Sequence, residues 1–240
     1  MTTDFKDRIV VALDTPDLAQ AKKLVKILAG DLSFFKVGKE LFISCGPQII
    51  EMIKGEGGKV FLDLKLHDIP NTVSNAASVI TKFGVDIFNV HASGGAAMMK
   101  KCVEVVNREA QEKGIVPPKI LGVTVLTSLN DEIVKQELKW ENNAAEQVIL
   151  LAGLSQRAGL DGVVCSAQEI TAIRETAGKD FIILTPGIRP EWAATDDQKR
   201  VLTPRRAFDL GADYIVIGRP ITQHKDPKEA VQKILEEVLA

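Results

Sequence analysis

Cysteine is scarce in this chain, and no single charge sign dominates it. Cys45, Cys102 and Cys165 are widely spaced, odd in number and form no CxxC pair. That excludes a disulfide framework or zinc ribbon and reads as small buried hydrophobes in a reducing compartment. No apolar stretch approaches the ~20 residues that span a bilayer. The opening MTTDFKDRIVVALD carries Asp4 and Asp7 and only a short apolar run before Asp14, unlike a secretory leader, so a cytoplasmic location is expected. A formal net charge of -2 gives no general attraction for nucleic acid or membrane, while leaving room for a local positive site. HExxH, Walker and nucleophile-elbow motifs are missing. His67, His91 and His224 lie on separate segments without ligand spacing; His91, at the end of an apolar run, reads as structural.

What is present is an ordinary globular mixture, 240 residues with 45% hydrophobic and 26% charged. No internal linker or low-complexity tract divides it, so residues 1–240 are expected to form one domain. Short apolar runs recur at Arg8–Asp14, Phe34–Lys39, Lys59–Lys65, Ile87–Ser93, Lys119–Ser128, Gly162–Ala167, Phe181–Gly187 and Tyr214–Pro220. Most are nearly continuous in Val, Ile, Leu and Phe, as parallel strands buried on both faces require. Helix signals separate them. Thr15-Pro16 supplies a cap and first-turn proline before the apolar face of Leu18, Ala21, Leu24, Val25 and Leu28, which Gly30 ends. Pro47 opens a second helix, the stretch from Asn71 to Phe83 forms another, and the last follows Asp226-Pro227. Eight strand–helix units in this length predict a closed (β/α)8 barrel. An open doubly wound sheet would carry a GxGxxG turn after its first strand, where this chain reads Asp14-Thr15-Pro16-Asp17.

Chemistry in such a barrel sits at the C-terminal strand ends. There the chain places Asp14, then Lys36 and Lys39, then Asp63, Lys65 and Asp68, then His91, then Thr127 and Ser128. Alternation along a strand puts Asp63 and Lys65 on one face, ~7 Å apart, within reach of Lys36 on the neighbouring strand. One Asp–Lys pair would read as a solvated salt bridge; a D-x-K-x-x-D run beside another strand-end lysine reads as a site. Gly218-Arg219 after the eighth run and Thr185-Pro186-Gly187-Ile188-Arg189 at the seventh suit a phosphate. The polar stretch from Pro190 to Thr203, with Asp196, Asp197, Gln198, Lys199 and Arg200, is long enough for a lid.

At these residues the chain resembles the bacterial-type orotidine 5′-phosphate decarboxylases from end to end. The resemblance rests on VALD at Asp14, FKVGKELF around Lys36, FLDLKLHDIPNT across Asp63–Thr72, NVHASGG at His91–Gly95, VTVLTS, TPGIRP, DQKRV and IVIGRPIT. It implies conversion of orotidine 5′-phosphate (OMP) to UMP in de novo pyrimidine synthesis, without metal or organic cofactor. It further implies a charged network of Lys36, Asp63, Lys65 and Asp68, in which Lys65 stabilises and then protonates the C6 carbanion and Asp63 lies near the departing carboxylate. Asp14 and Lys36 would contact ribose, and Thr127, Ser128 and Pro186 would line the pyrimidine. Arg189, Gln198, Gly218 and Arg219 would surround the phosphate or its covering loop. Asp68, Ile69 and Thr72 would enter the site of a second subunit, so a homodimer with shared sites is implied. Two other readings compete. Mg2+-dependent 3-keto-gulonate-phosphate decarboxylases and hexulose-phosphate synthases share the D-x-K-x-x-D run, but need an acidic metal ligand where this chain has Lys36. A non-catalytic phosphate-binding barrel would have no need of Asp63, Lys65 and Asp68 together.

Overall fold

The computed structural model describes residues 5–193 and 202–239. Eight parallel strands close on themselves in chain order: β1 Ile9–Ala12, β2 Phe34–Gly38, β3 Lys59–Leu66, β4 Ile87–His91, β5 Lys119–Val123, β6 Gly162–Val164, β7 Ile182–Thr185 and β8 Tyr214–Ile217. β8 pairs back onto β1 through Val10↔Val216, so the sheet has no open edge, and the expected (β/α)8 barrel is the fold. Alternate residues supply two separate cores. Val10, Phe34, Phe61, Ile87, Leu121 and Leu184 belong to a cluster filling the barrel. Their neighbours along each strand, such as Val11, Phe35, Val60 and Ile183, pack outward against the helices. Both faces are buried, which is why the strands read as unbroken apolar runs.

Several strands end earlier than the apolar runs. The run Lys119–Ser128 yields strand only to Val123, because the top rungs are His91↔Val123 and Val123↔Val164 and no neighbour extends further. Thr124 makes one last contact, its N–H and hydroxyl both donating to the Val164 carbonyl, and beyond it the chain turns away. The first helix, Leu18–Leu28, is capped by Asp17 instead of Thr15-Pro16: the Asp17 carboxylate accepts the N–H groups of Ala19 and Gln20. A carboxylate at the N-cap also meets the positive end of the helix dipole, which a hydroxyl does not. Cys102 and Cys165 are buried as expected, and burial pushes both thiols up to about 12, while Cys45 is only half-buried. No helix among the described residues is long and apolar enough to cross a membrane.

One device recurs at the N-terminal end of the barrel. Gly84-Val85-Asp86, Gly159-Leu160-Asp161 and Gly211-Ala212-Asp213 lead into β4, β6 and β8. Each glycine has positive φ (70°, 86° and 106°), each middle residue is buried, and each aspartate reaches back to the strand before. The carboxylates of Asp86, Asp161 and Asp213 accept the N–H groups of Val60, Ile120 and Ile183 at 2.7, 2.9 and 2.8 Å. Each is also ion-paired, to Lys54, Lys119 and Arg174 respectively. Removing one carboxylate strands a backbone donor and breaks an ion pair together. Asp213→Ala is therefore expected to cost about 2 kcal/mol. The measurement is a lower urea midpoint at unchanged m, with kcat and KM preserved because the lesion lies at the end of the barrel opposite the site.

Candidate active site

The inner faces of β2 and β3 carry the cluster. Phe34 and Phe61 fill the barrel, and one alternation further on the same faces carry Lys36 and Asp63. Their side chains are only 12% and 13% exposed, with Lys36 Nζ 3.7 Å from Asp63 Oδ2. Lys65 Nζ donates to the other carboxylate oxygen, Asp63 Oδ1, at 2.6 Å. Lys36 Nζ also donates to Asp14 Oδ1 at 3.0 Å, at the end of β1. Charges thus alternate as Asp14, Lys36, Asp63 and Lys65 across three strand ends, and each buried charge has a partner of opposite sign. Asp68, expected in this network, is not brought to it within its own chain. It is exposed, and its Oδ1 accepts the N–H of Ile69.

Lys65 does not reach Asp63 by simple alternation. The β3–β4 register slips between Leu62↔Phe88 and Leu66↔Val90, so β3 advances four residues while β4 advances two. Within this bulge Lys65 takes φ 53°, a left-handed conformation that costs a side-chain-bearing residue about 1–2 kcal/mol. The Lys65 N–H donates to Asn89 Oδ1 at 2.8 Å, and Asn89 Nδ2 donates to Asp63 Oδ1 at 2.7 Å. Burial pushes the Asp63 carboxyl up, but the charges of Lys65 and Lys36, with the hydrogen bonds from Lys65 and Asn89, outweigh it and hold the group below the ordinary carboxylate range. His91, above Asn89 on the same face, is lowered to about 4 by burial first and then by the charges of His67, Lys39 and Lys65. It is neutral at pH 7.

Beside the charges lies a cavity of about 220 Å³. Lys36, Asp63 and Lys65 occupy one side, Phe61, Val123, Val164, Leu184 and Val216 give an apolar floor, and Thr127 and Pro186 contribute from the β5 and β7 ends. The site residues expected from sequence therefore divide. Lys36, Asp63, Lys65, Thr127 and Pro186 share the cavity, with Asp14 at its edge through Lys36. Ser128, Asp68, Ile69 and Thr72 are exposed and do not line it. Arg189 is buried, and its backbone N–H donates to Leu202 beside the Ile188↔Leu202 bridge. Gly218 and Arg219 follow β8, Arg219 opening the short helix Arg219–Thr222, and neither lines the cavity. Gln198, with Asp196, Asp197, Lys199 and Arg200 of the expected lid, lies outside the described residues.

Three contributors escaped the reading of the sequence. Asn89 is one; a polar residue inside an apolar strand, on the parity of Ile87, was its only signal. The others are Gly38 and the packing role of Gly218. A Cβ on Gly38 would stand 3.1 Å from Lys36 Nζ, and one on Gly218 would stand 3.3 Å from Asp14 Oδ2. Both glycines leave room for the charged groups. Among the described residues no three His, Cys, Asp or Glu side chains gather as a metal-binding set.

A closed parallel barrel with part-buried lysines and an aspartate set against an apolar slot at its C-terminal mouth defines a class: (β/α)8-barrel enzymes with a charged cluster at the strand ends. Within that class the chain belongs to the orotidine 5′-phosphate decarboxylase / HUMPS family, whose model matches residues 7–234. It is 47% identical over 243 residues to an orotidine 5′-phosphate decarboxylase of Geotalea daltonii, covering 100% of both chains. It is 50% identical over 233 residues to one of Moorella thermoacetica, covering 97% of this chain and 92% of that one. Among solved structures, an orotidine 5′-phosphate decarboxylase from Lactobacillus acidophilus superposes with TM-score 0.86 at 40% identity, covering 98% of this chain and 100% of that one.

Proposed function

We propose that this chain decarboxylates OMP to UMP, the closing step of de novo pyrimidine synthesis, and that its own side chains suffice for the chemistry. The observation that carries this reading is the Asp63 carboxylate, 13% exposed and held between Lys65 at 2.6 Å and Lys36 at 3.7 Å against an apolar slot. Cleaving the C6–carboxylate bond releases CO2 and leaves an electron pair on C6 that the pyrimidine ring delocalises poorly. Stabilisation of roughly 20 kcal/mol or more is then required of the catalyst. The Lys65 ammonium meets this demand because its attraction grows as the carbanion forms, in a site where water screens it little. The same ammonium then gives its proton to C6, and the neutral amine regains one from solvent. Asp63 orients Lys65 through the 2.6 Å contact and lies near the departing carboxylate.

The remaining assignments follow the family resemblance. Asp14 and Lys36 hold ribose, and Thr127, Ser128 and Pro186 border the pyrimidine. Arg189, Gln198, Gly218 and Arg219 serve the phosphate, whose binding energy is spent far from C6. Asp68, Ile69 and Thr72 complete the site of a second copy in a homodimer. Ile69 supports this last point, being an apolar side chain 66% exposed beside the cluster-bearing strand. A cytoplasmic location suits such an enzyme.

The test is loss of orotate absorbance on mixing purified protein with OMP and excess EDTA, with CO2 and UMP measured. Complete, stoichiometric conversion under chelation is the expected result. No turnover of OMP, with Mg2+-dependent decarboxylation of a 3-keto-gulonate phosphate in its place, would put the chain with the Mg2+-dependent members named above. Tight UMP binding without CO2 release would make it a binding protein.

A further inference from the structure

We infer that Asn89 is the positioning residue of this site: its side-chain amide holds the Lys65 backbone and the Asp63 carboxylate in register, and so sets where the Lys65 ammonium stands. The inference rests on the decarboxylase reading and goes beyond it to a group on β4 that need not touch the substrate.

Between Leu62↔Phe88 and Leu66↔Val90 the β3–β4 ladder is interrupted, so the residues of the bulge have no rung on β4. A buried N–H without an acceptor is strongly disfavoured. For Lys65 the acceptor comes from a side chain, Asn89 Oδ1 at 2.8 Å. The other end of the same amide, Nδ2, donates at 2.7 Å to Asp63 Oδ1, the very oxygen that receives Lys65 Nζ at 2.6 Å. One amide therefore clips both ends of Asp63-Leu64-Lys65. Its orientation is dictated as well, since only the carbonyl can serve the N–H and only the NH2 can serve the carboxylate.

The cost of this arrangement argues against a packing role. Asn89 is 1% exposed and sits on the barrel-facing parity, where the residue below it is Ile87 of the inner core. A polar amide buried there is disfavoured unless it is fully hydrogen-bonded, and an aliphatic residue would fill the space without that demand. The left-handed φ of 53° at Lys65 is the second cost, since only Lys65 and Lys139 among described non-glycine residues have positive φ. Both features are explained together if the bulge exists to present the ammonium and Asn89 exists to hold the bulge.

Two substitutions test this. Asn89→Leu keeps the branched heavy-atom shape and removes both hydrogen bonds; it is expected to lower kcat roughly 100-fold, as small misplacements of a reacting group do. KM and UMP affinity should stay within about threefold, because the ground-state contacts to ribose and phosphate are untouched. Asn89→Asp gives a pH signature. Buried beside Asp63, the new carboxyl has a raised pKa, and in its protonated form it reproduces the amide, its O–H donating to Asp63 and its C=O accepting from Lys65. The kcat of Asn89→Asp should therefore approach the parent value at low pH and fall as pH rises through that pKa, a limb the parent lacks. Retention of kcat within about threefold by a folded Asn89→Leu would overturn the inference. So would a loss in Asn89→Asp that is the same at every pH, and this variant decides alone if Asn89→Leu does not fold. The parent assayed alongside keeps the two readings apart, since failure of the parent to release CO2 sinks the decarboxylase reading itself.

Discussion

Lys65→Ala is expected to lower kcat for OMP decarboxylation by about five orders of magnitude while the barrel stays folded. The estimate joins two losses. Removing one well-placed electrostatic donor costs about 10²–10³-fold, and removing a positioned proton donor adds about 10²–10⁴-fold. The fold should survive because the parent already bears the left-handed φ of 53° at this position, so alanine adds no new strain. Asp63 would also keep Lys36 and the Asn89 amide as partners. Single-turnover kinetics at saturating OMP, with UMP binding as the control for an intact site, measure the effect. A loss below about 100-fold would remove Lys65 from the centre of the mechanism.

Asp68→Ala is the second large effect, and the more discriminating one. Within its own chain Asp68 is exposed and accepts the adjacent Ile69 N–H, so a monomeric enzyme should tolerate its loss. If it completes the charged network of a second copy, the loss should exceed about 100-fold. Mixing then separates the cases. After random exchange of Lys65→Ala with Asp68→Ala subunits, half the dimers are mixed, and in each the site on the Asp68→Ala subunit has its own Lys65 and its partner's intact Asp68. Activity should recover to about a quarter of the parent's per subunit. No recovery, with tagged subunits shown to have exchanged, would rule out sharing.

The barrel itself was legible because burial on both strand faces erases alternation and leaves eight apolar runs, nearly all closed by polar residues. Their ends were not, since the end of a parallel strand is set by its neighbours: nothing in LTSLN announces that pairing stops at Val123. Lys36, Asp63 and Lys65 could be placed together from strand order alone. The means by which Lys65 arrives could not, because a positive φ at a lysine comes from a slipped register and from Asn89, some two dozen residues away in the chain. Asn89 looked like one polar residue in FNVHAS, and its partners exist only once β3 and β4 are adjacent. Asp17 took the cap from Thr15 because several residues there could serve, and geometry chose among them.

The thrice-repeated glycine–apolar–aspartate clasp beneath β4, β6 and β8 has a consequence for how this scaffold can change. The three clasps tie strand to strand at the foot, the end opposite the cavity, and none of them draws on a rim residue. Catalytic novelty can therefore be sought by randomising rim positions without dismantling the foundation, and a variant without activity need not be a variant without structure.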